Sequence, residues 1–310
     1  MEKIKVSQYE GETHKNYSEL GKESEKGWDS WGNSMVTLED GKKEQMSFYT
    51  DERLTKRLFT EPLIPYLEGR NGKKTVVDFG GGDGLMIEQI RRQLQEAHIT
   101  EINPVLLDID EKKLEKAKSD FPSIETVPAN MFELPFENNS IDSGVSRMAL
   151  QYFPKPEQEG QEKTQLEILK EVYRVLKTKS PFVVIYPASF EDDRKATYND
   201  SLWKLLTYHR TDKDDDLPFK NTRSFTSGKT IANYATKIGF NVKTVEQVDW
   251  IEFRYTIDAI ENRFGAIPDQ NKEWMEEAIK NPMNKKLLDI IEWNNKKAVR
   301  LPISRLVLEK

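Results

Sequence analysis

Thr75-Val76-Val77-Asp78-Phe79-Gly80-Gly81-Gly82-Asp83-Gly84-Leu85 is the stretch on which the reading of this chain turns. A short β-branched run enters an acidic residue. Glycines follow at positions 80, 82 and 84, with Gly81 as an extra. An apolar helical period then begins with Leu85, Met86, Ile87, Ile90 and Leu94. Strand, tight glycine turn, helix is the order that brings a backbone close to a nucleotide-like ligand. Glycine suits the turn because a Cβ would obstruct both the turn and the ligand.

Charge narrows the ligand. A pyrophosphate on a helix N-terminus wants backbone N–H groups and no neighbouring anions. This loop carries Asp78 at its entrance and Asp83 inside it, and both repel a pyrophosphate and attract a cation. The dinucleotide fingerprint also asks for glycine at 85, where this chain has Leu. S-adenosylmethionine has an ammonium, a sulfonium and no phosphate, and fits better. Asp83 can equally cap the helix that follows, and the two roles are compatible.

The pattern Asp78-x-Gly80-x-Gly82-x-Gly84 resembles the first motif of the class I S-adenosylmethionine-dependent methyltransferases of the small-molecule type. Three further segments carry the resemblance. Val105-Leu106-Leu107-Asp108-Ile109-Asp110 reads as a second strand ending in acid. An acid there can accept hydrogen bonds from both ribose hydroxyls. The resemblance gives that role to Asp108 and places Ile109 beside the adenine. Asp110 reads as the cap of the next helix, and Asp108 taken alone also reads as an ordinary strand-end acid. In Ala129-Asn130-Met131-Phe132, Asn130 matches the position that binds the adenine amino group, with an amide able to donate and accept. The family more often has Asp there. Met131 would pack on the ring. The strand Ser143 to Arg147 ends at a segment resembling the lining of the methyl-transfer pocket, with Arg147 as a cofactor-side contact. The resemblance covers roughly residues 50–190 well and the remainder loosely.

The implied fold is α/β: a doubly wound, mostly parallel seven-stranded sheet with helices on both faces and helical cap insertions. Short β-rich runs alternating with helical patterns predict the same parallel sheet. Residues 1–50 read as an N-terminal arm or partly helical lid, carrying Tyr9, Tyr17, Trp28, Trp31 and Phe48 among charges. Residues 51–189 are the S-adenosylmethionine-binding core, opened by a helix from Glu52 to Leu67. Residues 190–226 form a cap insertion with Trp203 and Tyr208. Residues 227–310 supply the last helix and strands six and seven, with a helical insertion at about 256–298. The final strand, Leu301 to Leu308, is expected to run antiparallel at the sheet edge.

Bulk properties limit the function classes. The chain has 310 residues, 36% hydrophobic and 32% charged, enough for one large polar-surfaced domain with caps. No apolar run reaches the length of a membrane span, and the first residues lack a signal-peptide core. There are no cysteines, which excludes disulfides and thiolate metal sites. A net charge of −6 argues against a general grip on nucleic acid. These properties fit a cytoplasmic protein with a small-molecule acceptor, no nucleic-acid partner and no metal; a homodimer is compatible with them.

Catalytic groups are harder to find. Many small-molecule members of the family carry histidines after strand four, where this chain has Gln151 and Tyr152. Tyr152, His209 and His14 are the candidates, and His98 should be structural. Aromatic walls favour a sulfonium through cation–π contact, although aromatics at such spacing are more often core. The expected activity is in-line methyl transfer from S-adenosylmethionine. Two alternatives remain: a catalytically silent cofactor-binding protein, and an NAD(P)-dependent oxidoreductase, which the acidic loop disfavours.

Overall fold

The computed structural model describes residues 35–37, 43–45, 49–153, 164–186, 226–248, 254–255, 273, 276–277, 280, 289–293, 296–300 and 303–310. Its centre is a seven-stranded sheet. β3 (Lys74–Phe79) pairs in parallel with β4 (Ile102–Asp108), and β4 with β5 (Glu125–Pro128). The chain then returns across β3 to add β6 (Ser143–Arg147) and β7 (Pro181–Tyr186) on its other side, again in parallel. The strand order therefore reverses between β3 and β6. Ligands of open α/β sheets bind outside the strand carboxyl ends at such a reversal.

The helices follow from apolar spacing and capping side chains. α3 (Leu85–Glu96) buries Met86, Ile87, Ile90 and Leu94, one stripe of a 3.6-residue period. α4 (Glu111–Asp120) starts at Asp110, whose side chain accepts from the N–H groups of Lys112 and Lys113. α5 (Gln165–Val175) opens with a capping box between Thr164 and Glu167. α6 (Gly228–Ile238) is capped by Ser227. Right-handed crossovers on either side of the reversal place α3 and α4 on one face and α5 on the other, where α6 joins it.

The helix expected over residues 52–67 is continuous, α1 (Glu52–Thr55) passing through a π-helical segment (Lys56–Thr60) into α2 (Glu61–Leu67). Two buried polar links fasten it to α3. Thr55 donates to Gln89 and Thr60 to Gln93, each at 2.6 Å. Each glutamine donates in turn to a backbone carbonyl, that of Thr50 or of Glu52. These buried amides are satisfied on both sides, which is what makes them tolerable in a core.

Two expectations need correction. β12 (Ile303–Glu309) is antiparallel, but it lies between β7 and β8 (Asn241–Val248) and so is not at the edge. Its near-continuous apolar run, with Ile303, Leu306, Val307 and Leu308 buried, suits an interior strand. The insertion expected to be helical is part sheet: β9 (Arg254–Tyr255), β10 (Asp289–Trp293) and β11 (Lys296–Arg300) form a three-stranded antiparallel sheet. Asp289, Glu292, Lys296 and Arg300 fall three or four residues apart, a helical spacing that obscured the strands. In the N-terminal arm, the described elements include an antiparallel pair, β1 (Met35–Thr37) and β2 (Lys43–Gln45); the rest of the arm expected to be partly helical lies almost wholly outside the described residues. Among the described residues no helix is long and apolar enough to cross a membrane, and no cluster of three or more candidate metal ligands occurs.

Candidate functional site

The glycine loop leaves β3 and is pinned to β4, because the N–H groups of Gly80 and Gly81 both donate to the Leu107 carbonyl, at 2.8 and 3.3 Å. Its glycines are needed for different reasons. A Cβ on Gly80 would lie 2.9 Å from the Ala149 Cβ, so the loop fits closely under the turn after β6. A Cβ on Gly81 would lie 2.3 Å from an Asp78 carboxylate oxygen. A Cβ on Gly84 would press on Ala117 and Leu106, both at 3.1 Å, so Gly84 sets the packing against α4. Gly82 has no comparable neighbour, since the nearest atom to its Cβ position is the Lys113 Cδ at 4.0 Å. Its φ of +63° lies in the left-handed region, and its surroundings are open. Gly82 is thus the glycine placed where a ligand could approach the backbone.

Asp108 stands beside it at the end of β4. Its Oδ2 accepts from the Gly82 N–H at 2.8 Å, and its Oδ1 from the Asp110 N–H at 3.0 Å. Burial pushes this carboxyl above its usual range, against the two N–H donors and the Lys113 charge. A carboxylate oxygen has two lone pairs, so each oxygen keeps a site for a further donor. Ile109 follows, partly buried. Asp110 is committed to capping α4, as its spacing indicates.

Asn130 follows β5 and is buried, its Oδ1 accepting from the Phe132 N–H at 3.0 Å. Met131 is buried, with its sulfur 3.7 Å from the Cβ position of Gly80. Arg147 ends β6, with its guanidinium 5.0 Å from the centre of the Tyr49 ring. Met148 then takes a left-handed φ of +56°, rare for a non-glycine residue, and turns the chain into Ala149 and Gln151. Asp83 is exposed and donates nothing to the loop; its Oδ1 accepts weakly from the Leu85 N–H at 3.3 Å, a partial helix cap.

Asp78 departs most from expectation. Its side chain has 0% exposure and lies beneath Gly81, away from the open side of the loop. Neither carboxylate oxygen has a hydrogen-bond partner among the described residues. Burial pushes its carboxyl up to about 8; Arg147 opposes the shift, and Asp108 and Asp83 add to it.

The candidate catalytic groups are less fully seen. His14 and His209 lie outside the described residues, as do Trp28, Trp31, Trp203 and Tyr208. Tyr152 belongs to a short 3₁₀ turn, Leu150–Tyr152, and its side chain is not among those described. Phe153 packs edge-on against Phe132, with centroids 5.2 Å apart, a packing role. His98 is exposed at the end of α3, with a left-handed φ of +64°. Sequence reasoning overlooked Tyr49, Ala149 and Lys113. Only the run of aromatics in the arm pointed towards Tyr49, and the other two are ordinary residues marked by position alone.

Comparison with known proteins bears on the family and the fold. Residues 77–184 match a family described as a methyltransferase domain. The chain is 29% identical over 133 residues to the biotin biosynthesis bifunctional protein BioHC of Teredinibacter turnerae, covering 40% of this chain and 22% of that protein. It is 28% identical over 141 residues to the ubiquinone/menaquinone biosynthesis C-methyltransferase UbiE of Bartonella henselae, covering 44% and 49%. The matches thus span about half the length of these curated relatives, or less. A solved methyltransferase-fold protein of Bacillus halodurans C-125 superposes with a TM-score of 0.57 at 15% identity, over 81% of this chain and 98% of that one.

Proposed function

The core of this chain is a class I, Rossmann-like methyltransferase domain, and from that premise we propose that the protein transfers a methyl group from S-adenosylmethionine to a small-molecule acceptor in the cytoplasm. The observation that carries the reading is the pairing of Gly82 with Asp108, which sets an acid with free lone pairs beside an open stretch of backbone. Asp108 would hold the ribose hydroxyls. Ile109, Asn130 and Met131 would hold the adenine, and the 80–84 loop would meet the amino-acid end, with Asp83 and Arg147 at its rim. When bound, the cofactor supplies a methyl on a sulfonium, which an acceptor displaces in line. What remains for the protein is to position the acceptor and exclude water.

Acceptor recognition falls in this reading to the arm, residues 1–50, and the cap, residues 190–226, over the carboxyl edge of the core, residues 51–189. Support comes from Tyr49, the last aromatic of the arm, whose ring sits on Arg147. UbiE's name describes a C-methyltransferase of quinone biosynthesis, so quinol and phenol acceptors head the panel to be tried.

A cofactor-binding protein without turnover is the second reading. One observation favours it: Gln151, where a histidine base would stand, turns its amide back to the Met148 carbonyl at 2.6 Å. Thermal stabilisation by S-adenosylmethionine but not by NADH supports the cofactor assignment, since a ligand of the native state alone raises its melting temperature. Labelled methyl transfer to any acceptor then excludes the silent reading. Stabilisation by NADH alone would overturn both.

A further inference from the structure

Buried amides of this core such as Gln89, Gln93 and Gln165 are paired. Asp78 differs from them: it has no exposed surface, and neither carboxylate oxygen has a partner among the described residues. The first three glycines of the loop above it direct their donors elsewhere. Gly80 and Gly81 give their N–H groups to Leu107, and Gly82 gives its own to Asp108. Gly81 packs against the carboxyl, where a Cβ would overlap it. The charged groups acting on Asp78 are Arg147 from β6, Asp108 from β4 and Asp83 from the loop, one cation against two anions. Arg147 is also engaged by the Tyr49 ring. A buried carboxyl in such surroundings holds its proton at neutral pH.

The ligand read for this site brings positive charge to the other side of the same thin loop. We propose that Asp78 keeps its proton in the free protein and releases it to solvent when S-adenosylmethionine binds, so that this acid matches the site to a cationic cofactor and couples its uptake to pH. The inference rests on the cofactor assignment above. In this step only the O–H bond of Asp78 breaks; the electron pair stays on the carboxylate and the proton passes to buffer. The direction follows from linkage. The free protein binds the extra proton, so affinity rises with pH up to about 8, where the free protein has itself lost that proton, and then levels off. An anionic dinucleotide would hold the proton in place.

Calorimetry of S-adenosylmethionine binding to the full chain at neutral pH, in buffers of different ionisation enthalpy, counts the protons released. Wild type should release close to one per site. The Asp78→Asn variant should release none. It also isolates any proton taken up by the ligand's own amino group, whose ordinary pKa is about 7.7–8.0. Wild-type affinity should rise by up to about tenfold per pH unit below pH 8, and the variant's should stay flat. Should the variant fail to fold, the infrared band of a protonated carboxyl in wild type, lost on adding S-adenosylmethionine, supports the same inference. Normal binding without proton release, or with release unchanged in the variant, would overturn it while leaving the cofactor assignment standing. Failure of wild type to bind at all would overturn both.

Discussion

The backbone N–H of Gly82 donates to Oδ2 of Asp108 at 2.8 Å, fastening the open point of the glycine loop to the end of the neighbouring strand. Asp108 therefore shapes the loop and, in the proposed site, would also meet the ligand. Its neighbour Asp110 does neither, because its side chain caps α4. Asp108→Ala should weaken S-adenosylmethionine binding by about 1.5–3 kcal/mol, the scale of hydrogen bonds to a charged group. Asp110→Ala should leave binding nearly unchanged and cost about 1 kcal/mol of stability as a lost helix cap. Calorimetry and denaturant titration on both variants distinguish these outcomes; the reverse order would place the ribose on the wrong acid.

Neighbouring glycines should fail differently. Gly81→Ala drives a Cβ into the Asp78 carboxylate and Leu106, so its main effect should be on folding. Gly82→Val has room, and should fold at the strain cost of a left-handed β-branched residue, on the order of 1–3 kcal/mol. It should nevertheless lose cofactor binding, because its side chain occupies the approach to the backbone. Thermal melts with and without S-adenosylmethionine test the contrast, and unimpaired stabilisation of the Gly82 variant would count against the site.

The Asp78 carboxyl also shapes pH stability. Its value rises from 3.8 towards about 8 on folding, so over that window the unfolded chain ionises while the folded one holds its proton. The folded state then binds more protons, and stability must fall as pH rises, by up to about 1.4 kcal/mol per unit. The cost is absent below 3.8 and complete above about 8. Asp78→Asn removes the titration. The difference in unfolding free energy between variant and wild type should grow between pH 5 and 8 and then level off; a constant difference would show that Asp78 is charged throughout.

A buried network at the carboxyl end of β7 should matter to stability alone. The Thr226 N–H donates to the Tyr186 hydroxyl, and the Thr226 hydroxyl donates to Gln165 at 2.9 Å. Tyr186→Phe strands a buried N–H and should cost about 1–3 kcal/mol. Cofactor affinity should not change, and calorimetry on the variant checks this.

Several of these features were legible in the sequence for physical reasons. β3, α3 and β4 were readable because each is a strong local pattern: a β-branched run, a 3.6-residue apolar stripe, a strand ending in acid. The cap of α4 was readable because Asp110 stands immediately before the helical run that opens at Glu111. The position of β12 was not, since insertion between β7 and β8 depends on pairing with one strand more than a hundred residues away and another more than fifty. Nor was the fate of Asp78. Sequence shows an acid entering a glycine loop, but whether it points to the ligand or beneath the loop depends on the backbone path at Gly81. Tyr49 was missed because cation–π contact with Arg147 brings together residues from different elements with no shared motif.

A crystal structure of the full chain with S-adenosylhomocysteine tests the cofactor site most directly. The predicted result places both ribose hydroxyls on the Asp108 carboxylate, the adenine between Ile109 and Met131 with its amino group at Asn130, and the amino-acid end along Gly80 to Gly84. A nucleoside held elsewhere, or with its ribose on Asp110, would contradict that assignment.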